Sequence, residues 1–104
     1  MKQTYLPNFL KGKWIQLNYS PHALLRIEER CKGCLQVKPN NIKLTKNSVV
    51  WWEKNEEKRI KLKIKIKYSS QEDMILIIQL DGLVKTVYYE NKRKNNYRQQ
   101  KSVR

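Results

Sequence analysis

The chain has 104 residues, with 23 Lys+Arg against 9 Asp+Glu and a formal net charge of +14. Its 39% hydrophobic residues, with three Trp and six Tyr, suit one small folded domain over residues 1–104 and are too many for a disordered basic tail. No run approaches the ~18 apolar residues that span a bilayer, and Met1 to Lys13 lacks the apolar core of a signal peptide, so a cytoplasmic protein with no membrane contact is expected. Such a positive field steers a protein toward polyanions.

Residues 1–12 show no clean period and form a lead-in. Residues 14–19 alternate Trp14, Gln16, Asn18 against Ile15, Leu17, Tyr19, which predicts a first strand. Ser20 then offers an N-cap and Pro21 a first helical residue. Leu24, Ile27, Cys31 and Cys34 fall at helical spacing, with Gly33 near the helix end, so the two cysteines are expected to complete a buried stripe. A Cys31-x-x-Cys34 pair could also read as a redox motif or half of a zinc site, but no further cysteine and only His22 remain to complete one. No metal or other cofactor is therefore expected. His22, Arg26 and Arg30 rise along the opposite side of the helix at i, i+4, i+8, with Glu29 beside them. The dipole at the helix start and the surrounding cations favour the neutral imidazole that a general base needs, while a local hydrogen bond is the plainer role for His22. Arg26 and Arg30 could equally pair with Glu29 on a solvated face.

Residues 38–47, with Pro39, Asn40 and Asn41, read as a loop. Residues 48–53 read as a second strand and 54–58 as a charged turn. The next strand alternates strictly, with Ile60, Leu62, Ile64, Ile66 and Tyr68 on one parity and Arg59, Lys61, Lys63, Lys65 and Lys67 on the other. Cations about 7 Å apart on one face match the spacing of phosphates along a single nucleic-acid strand. Lysines on a strand also keep a protein soluble and block edge pairing, which is the competing role. Residues 74–80 are apolar on both parities, as in a central strand covered on both faces. Asp81-Gly82 signals a two-residue type I′ hairpin into a last strand over 83–89. Its parity is ambiguous, because Val84, Thr86 and Tyr88 share one face and Leu83, Lys85, Val87 and Tyr89 the other. Thr86, Tyr88, Tyr89, Lys92, Arg93, Tyr97 and Arg98 make a second cluster in which tyrosines could stack on bases and cations hold phosphates. Residues 91–104 carry six cations and no acid, a basic C-terminal helix or arm. The expected fold is α+β: an N-terminal strand and helix packed on a curved antiparallel sheet of about four strands.

The helix motif His22-Ala23-x-x-Arg26-x-x-Glu29-Arg30, the strand ending Gly82-Leu83-Val84-Lys85-Thr86-Val87-Tyr88 and the basic tail resemble small bacterial proteins related to the BrnT toxins and, more distantly, to RelE, over about residues 18–98. The resemblance implies the fold of microbial ribonucleases, RNA cleavage without a metal, and neutralisation by an acidic antitoxin or immunity protein. On that reading His22, or a carboxylate such as Glu29, is the base; Arg26, Arg30 and Arg93 stabilise the pentacovalent phosphate; and Tyr88 or Lys92 helps the leaving group. Arg59, Lys61, Lys63, Lys65, Lys67, Tyr97 and Arg98 would hold the RNA, free or ribosome-bound. Two other roles fit the same charge: a non-catalytic nucleic-acid-binding module, and a phage or mobile-element inhibitor that binds an acidic surface of a host protein.

Overall fold

The computed structural model describes residues 2–30 and 38–91. Cys31, Cys34 and the basic arm from Lys92 onward, with Arg93, Tyr97 and Arg98, lie outside the described residues. In chain order the elements are β1 (Trp14–Gln16), β2 (Asn18–Tyr19), α1 (Pro21–Arg30), β3 (Asn41–Lys43), β4 (Val49–Lys54), β5 (Ile60–Lys67), β6 (Glu72–Gln79) and β7 (Leu83–Asn91). They form an α+β fold in which the helix packs on a five-stranded sheet of order β2-β7-β6-β5-β4, beside a two-stranded β1-β3 sheet.

The meander β4 to β7 is antiparallel, as the alternation predicts, but the sheet is mixed, because β2 joins β7 in parallel. The expected single strand over 14–19 is broken at Leu17, whose N–H goes to the Asn40 carbonyl at 2.8 Å. One half pairs with β3 and the other with β7, so Ile15 and Leu17 both reach the core while the chain changes sheets. β3 lies in the stretch expected to be a loop; Ile42 and Leu44 turn inward there and Asn41 and Lys43 outward. The lead-in is also attached: Gln3 exchanges backbone hydrogen bonds with Trp52, and Leu10 is fully buried.

Ser20 caps the helix as expected, its Oγ accepting the Ala23 N–H at 3.1 Å, and the same hydroxyl donates to the Lys85 carbonyl at 3.2 Å. The helix buries Ala23 and Ile27; Leu24, expected in the stripe, is only half-buried. On the sheet, Leu62, Ile64, Met74, Leu76, Ile78, Val84 and Val87 are buried on the inner face. Two extra residues explain patterns the alternation left open. Val50 stands between the pairs Val49↔Ile64 and Trp51↔Lys63, so Val49 and Trp52 both face inward. Lys85 stands between Ile78↔Val84 and Ile77↔Thr86, a β-bulge that puts Val84, Val87 and Tyr89 inside and Thr86 and Tyr88 outside.

The hairpin after β6 is not the two-residue type I′ turn. The Gly82 N–H closes a turn on the Gln79 carbonyl at 2.9 Å, and only Gly82 has a positive φ, where type I′ requires it at both central residues. A side chain at Gly82 would collide with the Gln16 carbonyl oxygen, since the β1–β2 junction crosses directly over the turn. With φ at +104°, Gly82→Ala meets both strain and a backbone clash, and should lower the unfolding free energy by at least about 2 kcal/mol in urea titrations. Tyr19 gives a second test. Burial, with the Tyr89 phenol nearby, pushes its hydroxyl up to about 12, and it donates to the Pro39 carbonyl at 2.6 Å. A phenol that keeps its proton longer in the folded chain adds stability that is complete below the unfolded value near 10 and is lost as pH rises through about 12. Melting temperatures should fall across that window, and Tyr19→Phe should flatten the fall; equal slopes in both proteins would refute the assignment.

Candidate functional site

β2 ends at Tyr19, so beyond Val84 the strand β7 has no neighbouring strand on the side away from β6. The helix lies along it there. Between them is a cleft of about 420 Å³ lined by Arg26, Glu29, Arg30, Glu72, Val87, Tyr88 and Tyr89. Arg26, Arg30 and Tyr88 are three of the residues expected in the site, and all three border the cleft. Arg26 and Arg30 share a helix face at i, i+4, but the β7 bulge turns the Tyr88 side chain to the outer face of the sheet, where its ring centre lies 5.7 Å from Lys63 Nζ.

Both arginines are already engaged. Arg26 pairs with Glu29 at 3.7 Å, with both side chains half-exposed. Arg30 forms a close ion pair with Glu72 and lies over the Tyr89 ring, 5.2 Å from its centre. Tyr89 in turn meets Tyr68 edge-on at 4.9 Å. The cleft thus carries two guanidiniums against two carboxylates, in partly solvated pairs that are individually weak and that a phosphate can displace. Glu72 is the charged cleft residue that the sequence does not single out, while Tyr89 belongs to the expected tyrosine and cation cluster. The parity of β6 does signal Glu72, which shares its face with Met74, Leu76 and Ile78. His22 is exposed near the helix start, one turn before Arg26, and does not line the cleft. Lys92 and Arg93 follow the last described residue of β7. Among the described residues no group of three or more His, Cys, Asp or Glu could hold a metal ion, and no helix is long and apolar enough to cross a membrane.

The lysine row lies on the opposite, outer face of the sheet. It holds Lys61, Lys63, Lys65 and Lys67, four cations where five were expected. Arg59 precedes the strand, where it pairs with Glu57 at 3.6 Å in the β4–β5 turn. Carboxylates from β4 and β7 pair with half of the row: Lys61 reaches Glu53 at 3.7 Å and Lys63 reaches Glu90 at 3.4 Å. By register, the path from Lys63 to Glu90 crosses β6 over Ile75, which is fully buried on this outer face and outside the main core. Burial works against the Lys63 charge, but Tyr88 and Glu90 outweigh it and hold the ammonium above the ordinary lysine value. Lys63 is therefore largely a structural strut. Lys65 and Lys67 are exposed and form no ion pair among the described residues.

A strut and a solvated charge respond differently to truncation. Lys63→Ala uncovers Ile75 and strands Glu90, so it should cost about 1 kcal/mol in urea unfolding, whereas Lys65→Ala should stay within about 0.5 kcal/mol. Equal effects would show that Lys63 carries no such load.

No protein-family model, curated protein or solved structure matches this chain.

Proposed function

We propose that the chain is a toxin of the RelE and BrnT kind, a metal-independent endoribonuclease that acts on RNA and is neutralised by an acidic partner. The observation that carries this reading is the meeting of Arg26 and Arg30 in one cleft between helix and strand edge, with a carboxylate beside each arginine. In such a reaction the 2′-oxygen attacks the neighbouring phosphorus and the bond to the 5′-oxygen breaks, leaving a cyclic phosphate and a free 5′-hydroxyl. A base takes the 2′-hydroxyl proton, and an acid returns one to the 5′-oxygen. Arg26 and Arg30 would exchange their carboxylates for the phosphate and stabilise the charge that builds on it, which at the same moment frees a carboxylate to act as base. Glu29 stands inside the cleft and His22 outside it, so the geometry favours Glu29 for that step. Arg93 would join the arginines on the phosphate, and Lys92, or Tyr88 once it leaves Lys63 on the outer face, would serve the leaving oxygen.

One observation favours a second reading. Arginines already paired with carboxylates form a balanced surface that needs no substrate, and the chain would then be a non-catalytic nucleic-acid-binding module. Cleavage separates the two. With chelator present, the purified chain should cut RNA, alone or on ribosomes, and 2′-deoxy substitution at the cut site should abolish cutting. Arg30→Ala and Glu29→Gln should each lower the rate at saturating RNA by about 10²-fold or more, while His22→Ala should lower it less than tenfold. A chain that binds RNA tightly and never cuts it is the binding module.

A further inference from the structure

The β1–β3 ribbon presents an outward face that the other described residues leave open. Both strands run exposed-buried-exposed: Ile15 and Ile42 pair inward, and Trp14↔Lys43 and Gln16↔Asn41 pair outward. Trp14 is 64% exposed. None of these four side chains makes a hydrogen bond, ion pair or ring contact among the described residues. A single exposed apolar residue is ordinary. Here, however, the tryptophan has a lysine directly across the ribbon and two solvent-exposed amides beside it, spaced as neighbours on one sheet face.

The surrounding charge points to the occupant. The described residues before Glu28 contain no acid, and neither do residues 38–52, and among the described residues none of Lys11, Lys13, Lys38, Lys43 and Lys46 forms an ion pair. Half of the lysine row on β5, by contrast, pairs with Glu53 and Glu90. The platform is also rigid. Backbone bonds continue its ladder at both ends, Gly12 N–H to Leu44 O, Leu44 N–H to Lys13 O and Leu17 N–H to Asn40 O, each 2.8 Å, and Ser48 Oγ donates to the Lys43 carbonyl at 3.0 Å.

We propose that this face seats a single-stranded RNA segment, with one base stacked on Trp14, the Gln16 and Asn41 amides on a base edge, and Lys43 and Lys13 on the flanking phosphates. Aromatic stacking takes any unstacked base, an amide can donate and accept at a base edge, and lysines hold phosphate without reading sequence. A duplex hides its base faces and offers this platform only its backbone. The proposal rests on the RNA-directed reading but not on the cleavage step.

The test measures binding of the full chain to a labelled 2′-O-methyl RNA oligonucleotide, which cannot be cut, in single-stranded and duplex form. Trp14→Ala should weaken single-strand binding at least about fivefold, and Trp14→Phe should restore most of it. Lys43→Ala should reduce the salt slope by about 0.7. The Trp14 indole N–H resonance should shift on titration, while that of Trp52, bonded to the Tyr5 carbonyl at 2.8 Å, should stay in place. Wild-type affinity in Trp14→Ala, or equal affinity for the duplex, overturns the ribbon site and leaves the RNA-directed reading standing. A wild-type chain that binds no RNA overturns both. Trp14-dependent binding of a polyglutamate peptide, with RNA affinity independent of Trp14, overturns the proposal in favour of an acidic protein partner.

Discussion

The short parallel pairing of β2 with β7 sets the position of nearly everything else. The Asn18 N–H reaches the Gly82 carbonyl at 2.9 Å and the Ser20 N–H reaches the Val84 carbonyl at 3.1 Å; there the strand stops, because Ser20 and Pro21 start a helix. Two residues of pairing suffice to dock the chain, and the helix must then run along the stretch of β7 that β2 leaves uncovered. A longer β2 would fill that edge with backbone, and the cleft would have no room. The Lys85 bulge completes the arrangement: it offers its carbonyl to the Ser20 hydroxyl and shifts the parity of β7, so that Val87 and Tyr89 face the core and the helix side.

The net charge of +14 is spread unevenly in its effect. At long range every cation contributes to the field that draws in a polyanion. At contact range the sheet face spends two of its lysines on internal carboxylates, and the cleft balances each arginine with a glutamate. Among the described residues, cations without an ion pair remain at Lys65 and Lys67 and around the ribbon, where residues 2–27 and 38–52 contain no acid. A lysine stripe read from alternation alone overstates the charge a ligand would meet, because partners come from strands whose register is a property of the fold.

What the chain reveals before folding follows from the range of each interaction. The helix cap at Ser20, the lysine-bearing strand and the central strand rest on neighbours in sequence, and each stands where its pattern puts it. The break at Leu17 and the strand at Asn41–Lys43 do not, since three-residue strands are too short to display a period and exist only because Ile15 and Ile42 meet across the ribbon. The bulges at Val50 and Lys85 are invisible for the same reason: an extra residue is extra only relative to a partner strand. Asp81-Gly82 does mark a turn, yet the space at Gly82 is set by Gln16, distant in sequence, whose carbonyl leaves no room for a side chain there. In the site, Arg26 and Arg30 are legible from helical spacing, while Glu72 and Tyr89 enter through packing of β6 and β7 against the helix.

The break at Leu17 also divides the chain's chemistry. On its N-terminal side the backbone feeds the ribbon, with the exposed Trp14 and lysines that form no ion pair among the described residues; on its C-terminal side it feeds the helix, with the arginines of the cleft. On the proposed function, stacking and phosphate contacts on the ribbon would hold ground state and transition state alike, so they would set how much RNA is bound and leave the rate of the bound complex unchanged. Arginines that must leave a carboxylate to meet a phosphate would behave oppositely, costing binding in the ground state and gaining most when charge builds on phosphorus. The proposed function would thus separate affinity from turnover onto the two sides of one residue. Substitutions at Trp14 and at Arg30 should then act independently, their combined effect the product of the single ones.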